Sequence, residues 1–252
     1  MTEATTKTAK QPPGHAVGLG FRPLYRQVKD LFLKRLADGA WTPGQVLPSE
    51  PEIAAGLGVS QGTVRKALDE LTAENLLVRR QGRGTFVARH DEERILFQFF
   101  RLQSDDDERR FPESLILDVR VLRASAEARA RLDLKAGDNV VQIERLRSLD
   151  GVTCIAEGMV LPQKLFPGIE FKELPNNLYE LYASAFGITV ARASERLKAV
   201  TATAREAKHL DLAVGSPLLS VDRTAYAVDG APAEWRVSLC RTDRFHYLCD
   251  LR

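Results

Sequence analysis

Three segments decide how this chain folds: Leu47-Pro-Ser-Glu-Pro-Glu-Ile-Ala54, Gly58-Val-Ser-Gln-Gly-Thr-Val-Arg-Lys-Ala-Leu68 and Gln81-Gly-Arg-Gly-Thr-Phe-Val87. In the first, Ser49 offers a capping hydroxyl and Glu52, three residues on, completes a capping box, so a short helix is expected over about Glu50 to Leu57. Gly58 has the freedom to end it in a left-handed turn, and Ser60 caps the helix that follows. Two helices so closely spaced form a helix-turn-helix. In the second helix Val64, Ala67, Leu68 and Leu71 share one face, which leaves Gln61, Thr63, Arg65 and Lys66 outside. The third segment joins two short strand candidates, Leu77 to Arg80 and Thr85 to Ala88, through a turn in which Arg83 stands between two glycines.

Upstream, Leu24, Val28, Leu31, Phe32 and Leu36 recur at helical spacing over 23–38, and Pro23 suits a first helical turn. Residues 1–20, rich in Thr, Lys, Pro and Gly, read as a flexible tail, and Trp41 to Pro48 as a turn-rich connector. Charge is divided along the chain. Residues 1–90 hold 13 Lys and Arg against 8 Asp and Glu, while residues 91–252 hold 23 against 26, so a polyanion is expected to meet the first part. A major groove admits a helix and is read by Gln, Arg and Thr side chains.

These three motifs, in this order and spacing, resemble the winged helix of the GntR family of bacterial regulators. The resemblance implies base and phosphate contacts from Gln61, Thr63 and Arg65, with Lys66 beside them, and from the wing at Gly82, Arg83, Gly84 and Thr85. Ser49 is included as a candidate DNA contact at the start of its helix. One position departs from the pattern: Pro51 stands where many relatives carry an arginine, which removes one expected contact.

Beyond residue 90 the reading is of a linker with a leading strand (91–112), including the apolar run Ile95-Leu-Phe-Gln-Phe-Phe100, and then a second domain over 113–252. The acidic Asp105 to Glu108 reads as a solvated loop. Ala126 to Gly137 and Ala204 to Gly215 echo each other, each ending Leu-Asp-Leu-x-x-Gly, and each leads into a strand with Arg145 and Arg223 at a constant offset. Asp-Gly turns follow at 150–151 and 229–230. A duplicated helix-strand-hairpin implies an α+β sheet with pseudo-twofold character. Alternation puts Val141, Ile143, Arg145 and Arg147 on one face of a strand, and Ile155, Glu157, Met159 and Leu161 on one face of the next. Buried charges must pair or surround an anion, and the residues alone leave both readings open.

Arg145-Leu-Arg147, Glu157, Asn177-Leu-Tyr179, Pro232-Ala-Glu234 and Arg241-Thr-Asp-Arg244 resemble the effector (UTRA) domain of the HutC subfamily, whose antiparallel-sheet α+β fold resembles chorismate lyase. The resemblance implies that Arg145 and Arg147 bind a phosphate or carboxylate of a small anionic metabolite, while Glu157, Asn177, Tyr179 and Glu234 contact its polar remainder. Asn177 stands where Ser is common and Cys240 where Tyr is common, so a different ligand is implied. Glu234 is out of phase with Ala233 and Trp235.

The expected protein is a cytoplasmic homodimer that binds a double-stranded pseudo-palindromic operator as a metabolite-responsive repressor. No cofactor, metal or membrane partner is expected. No stretch approaches the roughly 20 consecutive apolar residues of a spanning helix, and Cys154, Cys240 and Cys249 lack metal or disulfide spacing and read as buried or semi-buried thiols. An enzymatic role for the lyase-like domain finds no Ser-His-Asp set, P-loop or dinucleotide fingerprint, and the small net charge of +2 argues against a nonspecific DNA-coating protein.

Overall fold

A computed structural model describes residues 22–88, 99–106 and 110–249. The expected tail and most of the linker, including Ile95 to Gln98, lie outside these residues.

Helices α1 (Leu24–Ala37), α2 (Glu50–Leu57) and α3 (Gln61–Ala73) precede a hairpin of β1 (Leu77–Arg80) and β2 (Gly84–Val87). The caps form as the sequence requires. Ser49 and Glu52 make the reciprocal box, Gly58 takes φ 64°, and the Ser60 hydroxyl accepts from the Thr63 amide at 3.1 Å. Val28, Phe32 and Leu36 of α1 meet Ile53 of α2 and Val64, Ala67, Leu68 and Leu71 of α3 in one apolar cluster. Lys29 fastens α1 to α3 through Glu70 and Glu74, at 2.9 and 2.6 Å. Pro23 stands at the cap position rather than within the first turn, and Leu24 is half exposed. The connector turns and is also tied to the wing: Leu47 N donates to Thr85 O and Val87 N to Gln45 O, around an isolated antiparallel bridge between Val46 and Phe86.

The second unit is built on a six-stranded antiparallel sheet. Its strands are β4 (Glu113–Arg123), β5 (Asn139–Leu149), β6 (Val152–Pro162), β7 (Val190–Thr201), β8 (Pro217–Ala227) and β9 (Pro232–Arg241), in the order β4-β5-β6-β9-β8-β7. The two halves meet between β6 and β9, which is the pseudo-twofold arrangement that the internal repeat requires. Helices α4 (Ala126–Leu132) and α6 (Ala204–Leu210) cover the outer face, and both end at an aspartate in the left-handed region, Asp133 at φ 50° and Asp211 at φ 52°. Each helix reaches across the seam: Arg131 of α4 pairs with Asp222 of β8, and Arg205 of α6 with Glu144 of β5.

Helix α5 (Leu178–Phe186) and a small ribbon of β3 (Leu102–Ser104) paired with β10 (Phe245–Tyr247) lie over the inner face. Leu178, Tyr179 and Tyr182 pack on Val141, Ile143, Met159 and Leu161 at one end. At the other, Leu102 and Phe245 pack on Ile155, Val221 and Cys240.

Several expectations are corrected. Phe99 and Phe100 are not in a strand; the first strand of this unit among the described residues is β3. The Asp150-Gly151 turn has both residues at positive φ, as a tight hairpin demands, but the second turn spans 228–231 and only Gly230 is positive there. Cys249 is exposed, because it follows β10 at the end of the described chain with no element packed over it. Asp105 and Asp106 are exposed in a turn, and no group of three or more His, Cys, Asp or Glu among the described residues could hold a metal ion.

Candidate functional site

The first site is the outer face of α3 with the wing. Burial of Val64, Ala67, Leu68 and Leu71 turns Gln61, Arg65 and Lys66 to solvent, and Thr63 is half-buried beside the cap. These side chains are gathered by one carboxylate. Glu50 accepts from Arg65 Nε at 2.9 Å, from Gln61 Nε2 at 3.3 Å and from Arg79 Nη2 at 3.3 Å. Arg79 also pairs with Asp69 at 2.5 Å. Lys66 rests over the Tyr25 ring at 4.0 Å. Gly82 and Gly84, at φ 69° and 101°, form the wing turn that exposes Arg83, and Thr85 is half-buried in β2. Ser49 is committed to Glu52 by its cap, and Pro51 occupies the first turn of α2, where proline costs nothing. Sequence reasoning missed Glu50 and Arg79, which α2 and β1 bring beside α3.

The second site is a cavity on the inner face of the six-stranded sheet, between α5 and the β3–β10 ribbon. Its volume is about 600 Å³, counted out to a mouth that opens to solvent. Arg145 and Arg147 of β5, Glu157 of β6, and Arg223, Arg236 and Ser238 of β8 and β9 line it, with Phe100, Phe111, Asn176, Asn177, Tyr179 and Tyr247 around the rim. Strand register explains the gathering, since Arg145 lies opposite Glu157, Glu157 opposite Ser238, and Arg223 opposite Arg236.

Most of these charges satisfy one another. Arg145 Nε donates to Glu157, whose other oxygen accepts from Ser238 at 2.8 Å. Burial opposes ionisation of Glu157, but the facing guanidiniums of Arg145, Arg236 and Arg147 outweigh it and hold the carboxyl well below the usual range. Glu234 accepts from Arg236 at 2.9 and 2.8 Å and from the Tyr179 and Tyr182 hydroxyls at 3.2 and 2.9 Å. It is fully buried behind Arg236 and does not line the cavity. The bulge between Ala225 and Tyr226 places Glu234 opposite Ala225 and leaves Ala233 as the extra residue, so both are buried and parity along the strand breaks.

Arg147 differs. It is 4% exposed, yet its hydrogen-bond acceptors are the Pro112 carbonyl at 3.5 Å and Asn176 Oδ1 at 3.3 Å, and its Nε has no partner among the described residues. Burial and the neighbouring Arg145 push its pKa well below the ordinary value. The rings of Phe100 and Phe111 flank its guanidinium at 5.0 and 5.7 Å. Asn177 acts first as the cap of α5, accepting from the Glu180 amide at 3.1 Å, while its neighbour Asn176, which sequence reasoning missed, faces Arg147. Cys240 lines the cavity as a neutral thiol, its pKa raised by burial, and burial pushes the neighbouring Cys154 thiol up to about 12.

Comparison with known proteins bears on both sites. Residues 24–87 match the family model described as bacterial regulatory proteins, gntR family, and residues 107–246 match the UTRA domain. The chain belongs to the GntR family. Over 230 residues, 90% of this chain and 95% of the relative, it is 30% identical to the HTH-type transcriptional repressor NagR of Bacillus subtilis. Over 212 residues, 84% of this chain and 85% of the relative, it is 28% identical to the histidine utilization repressor of Pseudomonas putida. The crystal structure of the ligand-binding domain of a GntR-family regulator from Bordetella bronchiseptica is similar over 62% of this chain and 98% of that one, with 37% identity and a TM-score of 0.58. As a GntR-family protein of the HutC subfamily, the chain is a DNA-binding transcription regulator rather than an enzyme, with a UTRA domain that takes a small-molecule effector. No helix among the described residues is long and apolar enough to cross a membrane.

Proposed function

We propose that this GntR-family protein is a metabolite-responsive repressor: a homodimer whose winged helices read a pseudo-palindromic operator and release it when an anion binds beside Arg147. The observation that carries this reading is Arg147 itself, a buried cation with no ion-pair partner among the described residues, in the lining of a cavity. An uncompensated buried charge costs several kcal/mol, and an anionic ligand removes that cost when it binds. In this reading Arg145, Glu157, Tyr179 and Asn177 shape the cavity around the ligand, and Glu234 holds Arg236 and the two tyrosines from behind. The operator is contacted by Gln61, Thr63, Arg65 and Lys66 in the major groove, by Gly82, Arg83, Gly84 and Thr85 at the wing, and by the start of α2 at Ser49.

The test begins with selection from random duplex DNA. The expected product is a consensus of two half-sites about one helical turn apart, bound by one dimer at least ~10³-fold more tightly than random duplex. Arg65→Ala should weaken operator binding by about 1–3 kcal/mol. Enrichment of no consensus would overturn the reading.

A further inference from the structure

The ionisable groups in and behind the cavity do not cancel. Arg145 meets Glu157, Arg223 meets Glu195 at 2.5 Å, and Arg236 chelates Glu234. That disposes of three glutamates and three of the four buried arginines that line the cavity. Arg147 is the remainder among the described residues, and Arg101, which also lines the cavity, is partly exposed and reached by water. The interior therefore has an excess of one positive charge, held out of water between two phenyl rings.

We infer that the effector is a small monocarboxylate with an apolar body rather than a sugar phosphate; this rests on the reading of the cavity as the effector site. Charge is the first reason. A carboxylate brings one negative charge and cancels the excess, whereas a phosphate monoester carries about −1.5 to −2 at neutral pH and leaves a buried surplus of the opposite sign. Geometry is the second. The Nε edge of Arg147 is free and Nη2 is held only by long bonds to Pro112 and Asn176, so the edge that takes both oxygens of a carboxylate is available.

The third reason is what surrounds that edge. Phe100 and Phe111 flank it, and Leu102, Ile155 and Tyr247 continue the apolar wall. The polar groups that would receive sugar hydroxyls are already engaged with one another: Ser238 donates to Glu157, Glu157 accepts from Arg145, and Tyr247 donates to Glu195. Binding a polyol would break these bonds, while an aryl or short alkyl chain leaves them intact.

The test is isothermal titration of the full-length protein with straight-chain and aryl-substituted monocarboxylates (hexanoate, 3-phenylpropionate), with their neutral amides, and with hexose and amino-sugar 6-phosphates. Carboxylate binding at least tenfold tighter than that of any phosphate, with the matching amide at least tenfold weaker than the acid, is the expected result. Arg147→Met should abolish that preference. Because it removes an unpaired buried charge, this variant should also melt no lower than the parent, and the amide comparison needs no variant at all. An amide that binds as well as its acid overturns the inference. A phosphate that binds tightest, through Arg147, overturns the carboxylate class but leaves the effector site standing. Binding by neither class overturns both.

Discussion

At the scale of single residues, one carboxylate governs the candidate DNA-binding surface. Glu50 holds Arg65, Gln61 and Arg79 together, and their charge is partly neutralised. Its removal should have two separable effects. Glu50→Ala frees Arg65, leaves Arg79 on Asp69 alone and deletes a negative charge beside the candidate DNA contacts, so affinity for random duplex should rise several-fold at fixed salt. The operator-to-random ratio should fall, because freed side chains lose the geometry that discriminates bases. Fluorescence anisotropy with both duplexes checks this, and an unchanged ratio would show that Glu50 orients nothing. Residue-level legibility was uneven in an instructive way. Arg145, Arg147 and Glu157 were readable because a regular strand alternates; Glu234 was named too, but its orientation was not settled, because the bulge residue Ala233 is buried beside it. Glu50, Arg79, Asn176 and Phe111 carried no local signal at all, since each reaches its site by tertiary packing.

At the scale of elements, the caps and the two periodicities wrote themselves plainly into the chain. Ser49, Gly58 and Ser60 bound α2 and α3, and the repeated Leu-Asp-Leu-x-x-Gly announced α4 and α6 together with the sheet they flank. The connector at 41–48 turns as its sequence implies, and the bridge of Val46 to Phe86, with the backbone bonds that flank it, carried no sequence signal. The sheet also inherits an acid lability from its own buried ion pairs. Glu157 on β6 has its folded pKa depressed, so its contribution to stability is complete above the unfolded value near 4.3 and is lost progressively as pH falls below it. Thermal melts of the full chain from pH 7 to pH 3 should therefore show a falling melting temperature below about pH 4.5. Glu157→Gln should start lower at neutral pH and fall less steeply across that window.

At the scale of the whole molecule, the two sites are linked by a hairpin. Strands β8 and β9 carry Arg223, Glu234 and Arg236, and the turn between them places Val228 in the same apolar cluster as Phe32, Leu68 and Leu76 of the winged helix. A rearrangement around the cavity that tilts β8 and β9 therefore moves a residue seated in the DNA-binding unit. Val228→Asp should leave ligand affinity within about twofold of the parent but shrink the effect of ligand on operator binding, for which 1–3 kcal/mol is typical of coupled sites. Titration of operator with and without saturating ligand measures this coupling, and full coupling in the variant would move the linkage elsewhere.

The swapped helices have a further consequence. Residues 113–162 form three neighbouring strands and α4, and residues 190–241 form the other three with α6; the cavity floor is the seam between them, and each helix clasps the opposite half through Arg131–Asp222 or Arg205–Glu144. Such a domain is two interlocked pieces of continuous chain. Severed in the segment between them, it should behave as a split protein whose fragments find each other, and a ligand that bridges β5 and β8 would act as the fastener.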